Sequence, residues 1–131
     1  MHPLLNRTLL AALLAAAMAA AAPSALAQKS NEIFIPIGQS PGLSGKHTLI
    51  ARVQSADPAA GSLTVVDAAG AAVTVGTTAK TQIWLDRSKL QQRNRTGTLA
   101  DCRRDLSVEV KYRDNDARAA VAEWIKVQVL E

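Results

Sequence analysis

The residues best suited to chemistry crowd into one stretch. Trp84-Leu85-Asp86-Arg87-Ser88-Lys89 is followed at short intervals by Arg93, Arg95, Arg103 and Arg104. A guanidinium is a planar fork that binds phosphate or carboxylate through two parallel hydrogen bonds. Lys89, Arg93, Arg95, Arg103 and Arg104, together with Arg87, are therefore candidate anion contacts, partly offset by Asp86, Asp101 and Asp105. This is the pattern of a polyanion or oligonucleotide binder, whose affinity would fall steeply with salt. Oligonucleotide binders also need aromatic platforms on which bases stack. Past residue 27 the only aromatics are Phe34, Trp84, Tyr112 and Trp124, and strand alternation sends Tyr112 inward, which argues against nucleic acid. A solvated charged loop is the plainer reading of the run. Trp84, Arg87, Trp124 and Lys126 form a second candidate set, with two indoles flanking a groove for a sugar or peptide, although core or rim packing is the commoner use of Trp.

Other chemistries find little purchase. His47 and Cys102 are the one imidazole and the one thiol past residue 27, and both Met residues, Met1 and Met18, precede it, so no soft-ligand metal cluster forms within a chain. Asp114 and Asp116 have a calcium-like spacing without the Gly and distal Glu of a calcium loop and read as a turn. No nucleophile, base and oxyanion donor assemble around Cys102 or His47, so neither catalysis nor a cofactor is expected. Cys102 reads as a packed thiol, and being single it also permits a disulfide-linked dimer.

The first 27 residues belong to a different kind of segment. Arg7 precedes an uncharged run centred on Leu9 to Ala22, Pro23 and Ser24 break it, and Ala25-Leu26-Ala27 supplies the small-x-small pattern of a signal-peptidase site. The apolar run is shorter than the roughly 20 residues of a spanning helix. Residues 1–27 are thus expected to be a cleaved export signal, with the remainder in a bacterial periplasm or secreted and not inserted in the membrane. Loss of Arg7 leaves 14 basic against 11 acidic residues, a mild net charge of +3. The remaining 104 residues suit one domain.

That domain reads as all-β. Residues 28–45, with Ile33-Phe34-Ile35-Pro36-Ile37-Gly38 and turn signals at Pro41-Gly42 and Ser44-Gly45, form an extended arm over an open edge or barrel end, or lying over the barrel. Over 46–131, alternation places Leu49, Ala51 and Val53 inward on a first strand and Leu63 and Val65 on a second. A turn at Asp67-Ala68-Ala69-Gly70 joins the second strand to a third carrying Val73 and Val75. Thr81 to Leu85 is a brief extension, and a helical turn starts at Asp86 or Ser88. A fourth strand alternates strictly through Leu106, Val108, Val110 and Tyr112. A fifth, from about 120 to 130, turns Val121, Glu123, Ile125, Val127 and Val129 to one face and Trp124, Lys126 and Gln128 to the other. Five strands with a long excursion between the third and fourth point to a small OB-like antiparallel barrel, with a sandwich or SH3-like barrel as alternatives.

Ala51-Arg52-Val53-Gln54-Ser55-Ala56, Gly61-Ser62-Leu63-Thr64-Val65, Val73-Thr74-Val75, Thr81-Gln82-Ile83, Leu99-Ala100-Asp101, Val108-Glu109-Val110 and Ala122-Glu123-Trp124-Ile125 together resemble the exported bacterial β-barrel domains of domain-of-unknown-function family 5666, over roughly 46–131. The chain departs from that pattern at Cys102, where the step into the fourth strand carries Leu, and at Asp105, where it carries Gly. The resemblance implies an OB-like periplasmic domain and brings no catalytic residues. The expectation is a non-enzymatic binding or interaction module of the cell envelope with a small-molecule or protein partner, carrying Trp84, Arg87, Trp124 and Lys126 on its binding side, with a polyanion or oligonucleotide binder acting through Arg87–Arg104 as the alternative.

Overall fold

The computed structural model describes residues 31–131. The expected signal, 1–27, lies outside the described residues. Ile33–Glu131 is one compact unit and holds all the strands of the described residues. They are β1 (Thr48–Asp57), β2 (Ser62–Val66), β3 (Ala72–Gly76), β4 (Gln82–Asp86), β5 (Arg95–Thr96), β6 (Ser107–Tyr112) and β7 (Ala122–Gln128). They form one sheet in the order β3-β2-β1-β6-β7-β4-β5. The all-β expectation holds. The strand count does not: the sheet has seven strands, because the brief extension is a full strand and the excursion adds β5.

Local chemistry explains the elements that position the rest. The β2–β3 hairpin forms as expected, with Leu63 opposite Val75 and Val65 opposite Val73. Its turn is held by the Asp67 carboxylate, which accepts from the Ala69 and Ala71 amides at 2.9 Å each, and Gly70 takes a φ of 85° that a side chain would resist. β4 carries the apolar run Ile83-Trp84-Leu85 without alternation because both its faces are covered. It pairs in parallel with β7, and a further parallel bridge joins Gly76 to Val121. Val53, Leu63, Val65, Val75, Val108, Val110, Ile125 and Val127 form the core, and Tyr112 packs with them.

β7 departs from the expected alternation twice. Lys111 pairs with Trp124 and Tyr112 with Ala122, so Glu123 is the extra residue of a bulge. Ala122 is buried and Glu123 swings out to meet Lys111 at 2.6 Å. The face expected to be solvated is also covered: Trp124 and Lys126 are 4% and 1% exposed. The cover is the arm. It lies across the outer face of β4, β7 and β6 rather than over an edge or a barrel end. It is not extended as expected: a 3-10 turn spans Glu32–Phe34, the Gln39 amide returns to the Pro36 carbonyl at 3.1 Å, and further turns run from Ser40 to His47.

Candidate functional site: an arginine-lined groove

The excursion after β4 begins with a 3-10 turn over Ser88–Leu90, where a helical turn was expected. The chain then returns to β4, setting Arg95 opposite Leu85. Gly97 makes the next step fit. A Cβ there would stand 2.6 Å from Leu85 Cδ2 and 2.9 Å from Asp101 Oδ2, so only glycine lets the chain pass this close. A 3-10 turn over Leu99–Asp101 follows, closed by a capping box in which Asp101 Oδ2 accepts from the Thr98 amide at 2.7 Å. Asp105 turns the chain into β6 at a φ of 71° and donates its amide to the Val53 carbonyl at 2.9 Å, pinning the corner to β1.

These reversals sort the six basic residues. Arg95, Arg103 and Arg104 converge on one groove of about 370 Å³, with Leu85, Leu106 and Val129 as its apolar wall and Asp101, Leu130 and Glu131 also lining it. All three arginines are exposed. Arg87, Lys89 and Arg93 are not part of it. The Arg87 guanidinium bonds the Gln92 side chain, Arg93 lies 5.9 Å over the Phe34 ring, and Lys89 is exposed on the 3-10 turn. The groove therefore combines three arginines with an aliphatic wall, a lining whose chemistry matches an acidic group on an apolar body.

Trp84, Trp124 and Lys126 do come together, beneath the arm. The indole centroids are 5.6 Å apart, and the Lys126 ammonium lies 4.6 Å from the Trp124 ring. With Trp84 6% exposed as well, the three present no open surface in this state. Arg87 is held apart from them on its loop. Cys102 is 3% exposed, and burial, reinforced by the neighbouring Asp101 charge, pushes its thiol up to about 12. A thiol so placed keeps its proton at neutral pH and must be uncovered before it can bridge two chains. His47 is exposed on the turn before β1.

Sequence reading missed the polar residues that hold the arm down. Asp86, Glu109, Ser40, Thr48 and Asn94 are all buried. Glu109 accepts from the Gly38 amide at 2.9 Å, the Ser44 hydroxyl at 2.6 Å and the Thr48 hydroxyl at 2.7 Å. Asp86 accepts from the Ile37 amide at 2.9 Å, while the Asn94 side chain donates to the Ile33 carbonyl at 2.9 Å. The available signal was an acid on β6 and a base on β7 at facing positions, Glu109 and Lys126. Alternation alone assigns such residues to solvent.

Compared with protein-family models, with curated proteins and with solved structures, the chain matches none.

Proposed function

We propose that this protein is an exported, non-enzymatic binding module of the bacterial cell envelope that takes an anionic, partly apolar ligand in the groove of Arg95, Arg103 and Arg104. The convergence of these arginines on one aliphatic-walled groove carries the reading. Export rests on the sequence of residues 1–27, and its check is the mass of the mature chain, expected to begin at Gln28. An OB-like barrel related to family 5666 is the architecture we favour. If β3 and β4 are halves of one strand interrupted at 77–81, and the two-residue β5 is set aside, five strands remain; the Gly76–Val121 bridge beside the β4–β7 pairing supports that count.

The test is a titration of the isotope-labelled mature chain with dodecyl phosphate below its micelle concentration, alongside inorganic phosphate. Amide shifts are expected at Arg95, Arg103, Arg104 and Leu106, larger and at lower concentration for the alkyl phosphate. Replacing all three arginines by Gln should weaken binding about tenfold or more, the sum of three exposed charge contacts of ~0.5–1 kcal/mol each. Shifts elsewhere, or an affinity indifferent to the triple substitution, would remove the groove from consideration.

A further inference from the structure

The outer face of β4, β7 and β6 has an unusual composition for something covered by its own chain. It carries two carboxylates, an ammonium and two indoles: Asp86, Glu109, Lys126, Trp84 and Trp124, none more than 6% exposed. Half of what these charges hold is backbone. Asp86 takes the Ile37 amide, Glu109 the Gly38 amide, and Lys126 donates to the Ile35 carbonyl at 2.9 Å. Pro36, which has no amide hydrogen, falls between these contacts where no donor is used. The side-chain contributions come from Ser40, Ser44 and Thr48, near the turn that leads into β1.

A strap with a purely structural duty is better served by apolar contacts, because buried charges repay their desolvation poorly compared with aliphatic packing of the same volume. A face of charges and indoles has a different virtue: when uncovered it is readily hydrated, whereas an aliphatic face would aggregate. Acceptors and a donor aimed at neighbouring main-chain groups of a turn that the Gln39 amide closes on the Pro36 carbonyl at 3.1 Å, beside two tilted indoles, form a receptor for a peptide turn. We propose that this face is a binding site for a proline-containing turn segment of a partner protein, and that residues 33–40 occupy it in cis as a displaceable stand-in. The site is separate from the arginine groove and does not depend on it. An incoming segment competes with a tethered one, whose effective concentration is in the millimolar range, so the intact chain binds such peptides weakly and a partner must bring additional contacts.

The test uses the mature chain with a specific protease site inserted after Gly42, an exposed position with open space around it. After cleavage, a fluorescent peptide of sequence 33–40 is added. It is expected to replace the severed arm while circular dichroism stays that of the folded sheet. A peptide N-methylated at the positions of Ile37 and Gly38 should bind about a hundredfold more weakly, through loss of two charge-assisted hydrogen bonds. Ala in place of Ile37 should bind within a few-fold of the parent peptide. Unfolding on cleavage, an arm that never exchanges, or indifference to N-methylation would each overturn the proposal. In the uncleaved chain, the Ile37 and Gly38 amides should exchange with deuterium at least about a hundredfold faster than those of Val110 and Ile125, as local opening requires. Equal rates would mean that the arm leaves only when the whole fold does.

Discussion

Replacing Glu109 by Ala probes how the arm is held. The side chain accepts three hydrogen bonds, at 2.9, 2.6 and 2.7 Å, from a fully buried position. Hydrogen bonds to a charged group contribute about 1.5–3 kcal/mol each, but they are not additive here. Once the carboxylate is gone, the arm can lift and return the Gly38 amide and the Ser44 and Thr48 hydroxyls to water. The loss is therefore capped by the docking energy of the arm, and about 3–5 kcal/mol, the usual cost of breaking a buried ionic network, is expected. Urea unfolding followed at once by indole emission and far-ultraviolet circular dichroism separates the two effects. Trp84 and Trp124 lie beneath the arm, so emission reports its release while dichroism reports the sheet. With a denaturant slope of roughly 1–2 kcal/mol per molar, the emission midpoint should fall by at least about 1.5 M and precede the dichroism change. Glu109→Gln, which keeps an acceptor, should lose less. A Glu109→Ala midpoint within about 0.5 M of the parent, with both signals still coincident, would refute the claim that this carboxylate holds the arm.

Four further outcomes follow from the same structure. Cys102 should resist a thiol reagent in the folded protein at pH 8 and react at once in urea; rapid labelling of the native chain would contradict its burial. Because the native thiol keeps its proton to about 12 whereas the unfolded chain releases it near the ordinary 9.0, the folded state binds more protons across that window. Stability should then fall as pH rises above 9, by up to roughly 1.4 kcal/mol per unit, and Cys102→Ala should flatten that limb apart from the share of Tyr112, whose phenol burial also raises. Gly97→Ala forces a methyl group onto Leu85 and Asp101 and should cost about 1–3 kcal/mol in thermal or urea melts; a neutral result would show that this crossing is loose. Lys126→Met keeps the length of the side chain but abandons the Ile35 carbonyl and the Trp124 ring, so indole emission should shift with a loss of about 1–3 kcal/mol.

What could be read from the sequence tracks how each element is buried. The β2–β3 hairpin and β6 were legible because each alternates and turns where Gly or Asp makes turning easy. β4 was not, since a strand covered on both faces loses the alternation that announces it and Ile83-Trp84-Leu85 is too short to stand out. The bulge at Glu123 was invisible because its cause is the pairing with β6, which local pattern does not encode. Lys126 and Glu109 were assigned to the correct side of their strands and to the wrong environment; alternation says which way a side chain points and not what lies above it. The five arginines and Lys89 were conspicuous as a cluster of six bases. Which three converge was decided by Gly97, by the capping box of Thr98 and Asp101, and by the corner at Asp105, none of which advertises a groove.

The arm also imposes an order of events on the newborn chain. It is the first part of the described protein to leave the ribosome, yet its partners are among the last: Ile37 waits 49 residues for Asp86, Gly38 waits 71 for Glu109, and Ile35 waits 91 for Lys126. Contacts of such separation close large loops and form late. Until β7 has been made, the groups that hold residues 33–38 are incomplete, and Ile33, Ile35 and Ile37 stay uncovered. Docking of the arm is thus a completion signal, available only to a chain that has been synthesised through Lys126.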